Sequence, residues 1–316
     1  YPVLAVKDLV LALAQLRQLQ SLHLELGGCG LGDPGSAAIA RALPGGLRWL
    51  HLELCDCEVG EDGCRALAAA LPLELQKLHL GLCHCHCGSE GAKAIADALH
   101  GMKGIACLRS LHLDFDNAGV GSVGAQALAK ALPASLKELH VDLSRCSIGR
   151  DGGHAMATSL PKWLSHLHLD FSGCEIGAEA SLLLAEGLPP RLVDLYLGLH
   201  GCGLGVSGVR GLAAKLPRLA PQLAELNLDF AGCGVGADGV HALAFALLML
   251  SMLGRGLVTL SLGLAGCTIG EQATRALLAA LPENLSKLRL SLAGCELEPS
   301  VREDVVSPRI KDIERM

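Results

Sequence analysis

Aromatic residues are scarce in this chain of 316 residues: four Phe, two Trp and two Tyr make up 3% of it. A core with so few large rings is thin and repetitive rather than one deep globular centre. Cationic runs are missing as well. With 26 Lys and Arg against 32 Asp and Glu, the net charge is −6. Sequence-independent nucleic-acid binding is therefore excluded, because it needs many phosphate-neutralising side chains. No apolar run is long enough to cross a bilayer, which takes about 20 residues, and no signal peptide is visible. The chain opens on Tyr1 rather than methionine, which reads as a processed or trimmed polypeptide. There is no phosphate-cradling Gly-Lys-Ser/Thr loop and no Gly-x-Ser-x-Gly elbow, so neither an enzyme nor a cofactor is expected.

What is present is a repeat. From Leu164 to Pro189 the chain reads LSHLHLDFSGCEIGAEASLLLAEGLP. Leu167, Leu169 and Phe171 alternate with His168 and Asp170, the period of a strand with one buried face. Ser172-Gly173 makes a turn, Cys174 and Ile176 point back inward, and Glu179 opens an Ala/Leu-rich helical segment that Leu188-Pro189 ends. The same unit recurs with its leading leucine at Leu19, Leu47, Leu75, Leu108, Leu136, Leu164, Leu192, Leu223, Leu257 and Leu285. Six of the nine spacings are 28 residues, the mark of a solenoid whose units bury apolar faces against their neighbours.

The core L-x-L-x-x-C-x-[LIV]-G resembles the leucine-rich repeat family in its long-repeat, ribonuclease-inhibitor-like branch. That resemblance implies an α/β fold: a curved horseshoe solenoid with a parallel β-sheet on the concave side and α-helices on the convex side. It implies three parts: an N-terminal capping helix over residues 1–18, ten repeats over 19–298, and a polar C-terminal tail over 299–316. It also assigns a buried, backbone-bonded ladder to Cys29, Cys57, Cys85, Cys146, Cys174, Cys202, Cys233, Cys267 and Cys295, with Ala118 as the exception. Nine buried thiols behave as small hydrophobes and are expected to be reduced, in a reducing intracellular compartment.

Three units exceed the common length, and added residues belong in loops or lengthened helices. They lie around His100–Ile105, around Arg218–Pro221, and in the run from Val240 to Gly256. The last reads as a longer buried helix. A sharper alternative is an apolar docking ridge made by Phe245, Leu248, Met249 and Met252.

On the exposed strand face, equivalent residues of parallel strands about 4.8 Å apart fall into columns. One column holds His23, His51, His79, His112, His140 and His168, then Tyr196, Asn227, Ser261 and Arg289. The next holds Glu25, Glu53, Gly81, Asp114, Asp142, Asp170, Gly198, Asp229, Gly263 and Ser291. Nearby carboxylates favour imidazolium and neighbouring imidazoliums oppose it, so the two effects partly cancel. The expected partner surface is His112, Asp114, His140, Asp142, His168, Asp170, Tyr196, Asn227 and Asp229. It is set against a plain solvated face copied by repeat duplication. No metal is expected. The one local candidate is Cys55 and Cys83 with His51 and His79, in a spacing unlike a zinc knuckle. The functional expectation is a non-catalytic protein-interaction module. The alternatives are an accessory subunit docked in a large, membrane-associated organellar complex, and a regulator that activates a GTPase through Lys287, Arg289 and Asn227.

Overall fold

The computed structural model describes residues 2–103, 107–254 and 256–295. Gly104 and Ile105 of the first inserted stretch and the whole tail over 299–316 lie outside them. The chain falls into two compact units, Tyr1–Leu164 and Ser165–Met316.

In the first unit the elements run α1 (Pro2–Gln15), β1 (Ser21–Glu25), α2 (Gly32–Ala42), β2 (Trp49–Glu53), α3 (Glu61–Ala70) and β3 (Lys77–Gly81). They continue as α4 (Gly88–Met102), β4 (Ser110–Asp114), α5 (Gly121–Ala131), β5 (Glu138–Asp142) and α6 (Gly149–Thr158). The five strands pair parallel in chain order, each residue opposite its equivalent in the next repeat. In the second unit come β6 (His166–Asp170), α7 (Gly177–Gly187), β7 (Asp194–Gly198) and α8 (Gly205–Lys215). A single 3-10 turn (Leu216–Leu219), β8 (Glu225–Asp229), α9 (Gly236–Leu253), β9 (Thr259–Gly263), α10 (Glu271–Ala279) and β10 (Lys287–Ser291) complete it. Its strands pair parallel in the same in-register way.

Length variation is confined to the helical side, as solenoid geometry requires. Every strand has five residues, whereas α4 has 15 and α9 has 18, and the Arg218 insertion forms the 3-10 turn. Leu50, Leu52, Leu78, Leu80, Leu111 and Leu113 are at most 2% exposed, and Ile39, Leu67, Ile95 and Leu128 of the helices are equally buried. The three phenylalanines at one repeat position, Phe115, Phe171 and Phe230, are fully buried.

The ladder cysteines join consecutive repeats. Cys57 Sγ donates to Leu26 O at 2.9 Å, Cys146 to Phe115 O at 2.9 Å, Cys202 to Phe171 O at 2.9 Å and Cys233 to Leu199 O at 2.7 Å. Each acceptor is the carbonyl just past the strand of the preceding repeat, which also accepts the backbone N–H three residues on, so the thiol adds a second donor to it. Cys29 departs from the expected buried set. It is exposed, with no strand before β1 among the described residues, and it only reaches Gly27 O at 3.8 Å. Immediately before each rung the chain adopts left-handed geometry even without glycine, at Asp56, His84, Asn117 and Arg145. That turn swings the thiol inward, and L-residues other than glycine adopt it at a cost of about 1 kcal/mol.

The 18-residue helix α9 corrects two expectations. It is neither a fully buried helix nor too short to reach across a bilayer: by length and composition alone it qualifies, at a rise of about 27 Å. Val240, Leu243, Ala244, Leu247 and Leu250 are buried, and the helix packs between α8 and α10. Phe245, Leu248 and Met252 stand outward at 63%, 45% and 71% exposure, while Met249 is half-buried.

If the rung bond matters, Cys202→Ala should lower the free energy of unfolding by about 1 kcal/mol, and Cys29→Ala should leave it unchanged. Urea denaturation of the two variants checks this.

Candidate functional site

The strand face is built by register. Because His51 pairs with His79 and His79 with His112, their rings stack in a column. Centroid separations in the first unit are 3.9 Å (His23–His51), 3.8 Å (His51–His79), 3.9 Å (His79–His112) and 3.7 Å (His112–His140). Stacking shields the rings from water. Burial, followed by the neighbouring His140, His79 and His51, holds His112 down at about 3, and His51 is lowered for the same two reasons. The sequence-based balance between carboxylates and imidazoliums therefore fails at these two rings, because desolvation dominates both. Beside them Trp49, 50% exposed, receives the Lys77 ammonium 5.1 Å from its ring centroid. Sequence reasoning passed over this pair, although Trp49 and Lys77 share the first outward position of their strands.

The acidic column has two structural jobs. Each carboxylate at a strand end accepts the backbone N–H two residues on: Asp114 from Asp116 (3.0 Å), Asp142 from Ser144 (2.8 Å), Asp170 from Ser172 (2.9 Å) and Asp229 from Ala231 (3.0 Å). This is the aspartate turn that bends the chain out of the strand. Three of the acids also lie across a glycine. A Cβ added at Gly81, Gly198 or Gly263 would fall within the carboxylate of Glu53, Asp170 or Asp229 of the preceding repeat. The signal was legible as an acid followed by glycine at the same position one repeat later.

In the second unit this arrangement fixes Tyr196. Its ring stacks on His168 with centroids 3.8 Å apart, and its hydroxyl donates to Asp170 Oδ2 at 3.1 Å. Asn227 and Asp229 follow on β8, in register with Tyr196 and Gly198. Two residues earlier in the strands, Asp194 is pushed upward by burial and then by Glu225 on β8, against His166. In the first unit Asp114 is raised by burial. Burial also acts upward on Asp116, but the Arg145 guanidinium and the Ser144 hydroxyl outweigh it and hold that carboxyl low. Lys287 and Arg289 sit on β10, with β9 between Arg289 and Asn227.

The sulfur candidate is also brought together. Cys55 and Cys83 lie two residues past equivalent strands, with Cα atoms 4.5 Å apart, and are joined as a disulfide. Glu53, which sequence reasoning omitted, sits between this pair and His79, with Oε2 3.2 Å from His79 Nε2. The remaining thiols are ordinary core groups in the main: burial pushes Cys202 up to about 12. Cys85 is the exception, held down at about 6 by the hydrogen bond from Cys87.

Residues 19–40 match a family model described as a leucine rich repeat. No curated protein matches the chain. Among solved structures, the chain is similar to the leucine-rich repeat-containing protein LegL7 of Legionella pneumophila, at 17% identity and a TM-score of 0.47, over 94% of this chain and 92% of that one. It is also similar to a chain of the Rad7 and Elc1 complex in yeast, at 16% identity and a TM-score of 0.48, over 97% and 81% of the two chains.

Two outcomes follow from the geometry. Gly198→Ala should cost about 1–3 kcal/mol, since Asp170 must swing off both the Ser172 N–H and the Tyr196 hydroxyl. In an Asp170→Ser background the same change should cost measurably less, and a double-mutant cycle by denaturant titration reads the difference. His112 sets a pH slope. Its folded value of about 3 lies below the unfolded value of 6.5, so the unfolded chain binds more protons in that window. Stability should fall as pH drops from about 6.5 towards about 3. His112→Gln should flatten that slope in thermal melts over the same range.

Proposed function

We propose that this leucine-rich-repeat chain is a non-catalytic protein-interaction module whose partner docks on the strand face of the second unit. The observation that carries this is the chemistry of β6, β7 and β8. Their outward positions hold Asp170, Asp194, Glu225 and Asp229 with His166, His168, Tyr196 and Asn227, and no lysine or arginine. Asp194 and Glu225 repel one another there, a strain that a partner's cation relieves. Tyr196 is a half-buried aromatic anchor already held by His168 and Asp170, so binding costs it little freedom. The partner expected is a basic, polar protein surface.

A second reading has its own support. The outward stripe Phe245, Leu248 and Met252 on α9, with Met249 at its margin, is apolar and exposed. Such a ridge suits an accessory subunit seated permanently on a larger assembly. A GTPase-activating role has weaker support, since Arg289 and Asn227 are separated by a strand.

Site-specific photocrosslinking in extracts of the source cells distinguishes the two surfaces. A benzophenone side chain at position 196 should trap a partner, and the adduct should weaken with added salt and with Asp170→Asn plus Asp229→Asn. The asparagines keep the acceptor for the turn N–H while removing charge. Adducts formed only from position 245, and lost on Met249→Glu, would place the docking surface on α9 instead.

A further inference from the structure

We propose that Cys55, Cys83 and Glu53, completed by His79, form a redox-gated zinc site on the strand face of the first unit. Two groups of potential ligands meet there. The ligand atoms of Glu53, Cys55 and Cys83 lie within 4.8 Å of one another, and so do those of His51, Glu53 and His79. Glu53 belongs to both. It is held in the middle because its carboxylate lies over Gly81, the one residue type at that position that leaves room. One oxygen accepts from the Cys55 N–H at 3.3 Å, and the other faces His79 Nε2 at 3.2 Å.

The backbone keeps the sulfurs adjacent whatever their oxidation state. Cys55 and Cys83 occupy the same place in consecutive repeats, their Cα atoms are 4.5 Å apart, and the Cys83 N–H donates to Cys55 Sγ at 2.9 Å. Tetrahedral zinc needs Zn–S distances of about 2.3 Å and Zn–N or Zn–O distances of about 2.0–2.2 Å. Glu53, Cys55 and Cys83 already lie within 4.8 Å of one another, and His79 adjoins them through Glu53, so side-chain rotation would bring the four donors to that geometry. Two thiolates, an imidazole and a carboxylate are a donor set suited to zinc rather than to calcium or magnesium. The glutamate and histidine are about a quarter exposed, which leaves an entry path for the ion.

The gate is the disulfide. While Cys55 and Cys83 are bonded to each other, neither sulfur is a thiolate. Reduction by a dithiol transfers two electrons: the Cys55–Cys83 bond breaks, the reductant's two sulfurs join, and its two protons pass to the protein thiols. Zinc then displaces those protons to solvent as two Zn–S bonds form. Zinc in turn favours the reduced pair, since only that state binds it.

The full chain, reduced with a phosphine that is then removed anaerobically, can be titrated with cobalt(II) as a spectroscopic probe and afterwards with zinc. One equivalent should give thiolate-to-cobalt charge-transfer bands with tetrahedral ligand-field bands, all abolished by zinc. The signal should be absent from the oxidised protein, lost in Cys55→Ser and Cys83→Ser, weakened in Glu53→Gln and His79→Gln, and unchanged in Cys29→Ser. Circular dichroism shows that the variants fold. The proposal is overturned if reduced protein gives no thiolate band, if the band survives in folded Cys83→Ser, or if the oxidised protein binds cobalt as tightly as the reduced one.

Discussion

Parallel pairing without a register shift is the constraint from which the rest of each unit follows. A residue of one strand sits opposite the same residue of the next repeat, from Leu50↔Leu78 to Leu228↔Leu262. Every sequence position thus becomes a column with a spacing near that of hydrogen-bonded strands. Leucine columns bury themselves and fix which way the strand faces, since a slip of one residue would turn every leucine to water. Cysteine columns supply a thiol donor to carbonyls just past the strands, except where Ala118 interrupts the ladder. The same rule stacks imidazoles at ring-contact distance and lays one repeat's carboxylate over the next repeat's glycine.

Such a column converts a residue's environment into a property of its neighbours. A lone surface histidine would titrate near its ordinary value, whereas His112, sandwiched between His79 and His140, is desolvated and faced by like charge on both sides. Tyr196 is likewise not an isolated aromatic but the continuation of the His168 stack, tied to Asp170. The strand face is accordingly stiffer than a list of exposed polar residues implies, and rigid side chains lose little entropy on binding.

This also explains what was legible in the sequence and what was not. The strand–turn–helix unit, the ladder and the columns are one-dimensional consequences of a period, so Leu167, Leu169 and Cys202 could be placed from spacing alone. Two things depend on distance across columns and escaped it. Glu53 was read as one more exposed acid, yet it lies between His79 and the Cys55–Cys83 pair. The balance at His51 and His112 was read from charge signs, while burial, which a sequence does not quantify, decides it. Cys29 was placed in the ladder correctly by period but wrongly by burial, because a period fixes a position and does not report what covers it.

The pairing of acid with glycine bears on whether these faces are relics of repeat duplication. A copied face repeats residues singly, so Glu53, Asp170 and Asp229 would each be followed by another acid, as Asp114 is by Asp142. Instead glycine follows each of the three, and the space it leaves is filled by the preceding carboxylate. Glycine weakens a strand by roughly 0.5–1 kcal/mol relative to alanine. At Asp170 the seated carboxylate recovers part of it through the Tyr196 hydroxyl, whereas the turn N–H is accepted by seated and unseated acids alike. What distinguishes a seated carboxylate from a free one is orientation: its oxygens are aimed along the sheet at the neighbouring column, at His79 in one unit and at Tyr196 in the other. Oriented anions of that kind suit the binding face proposed above.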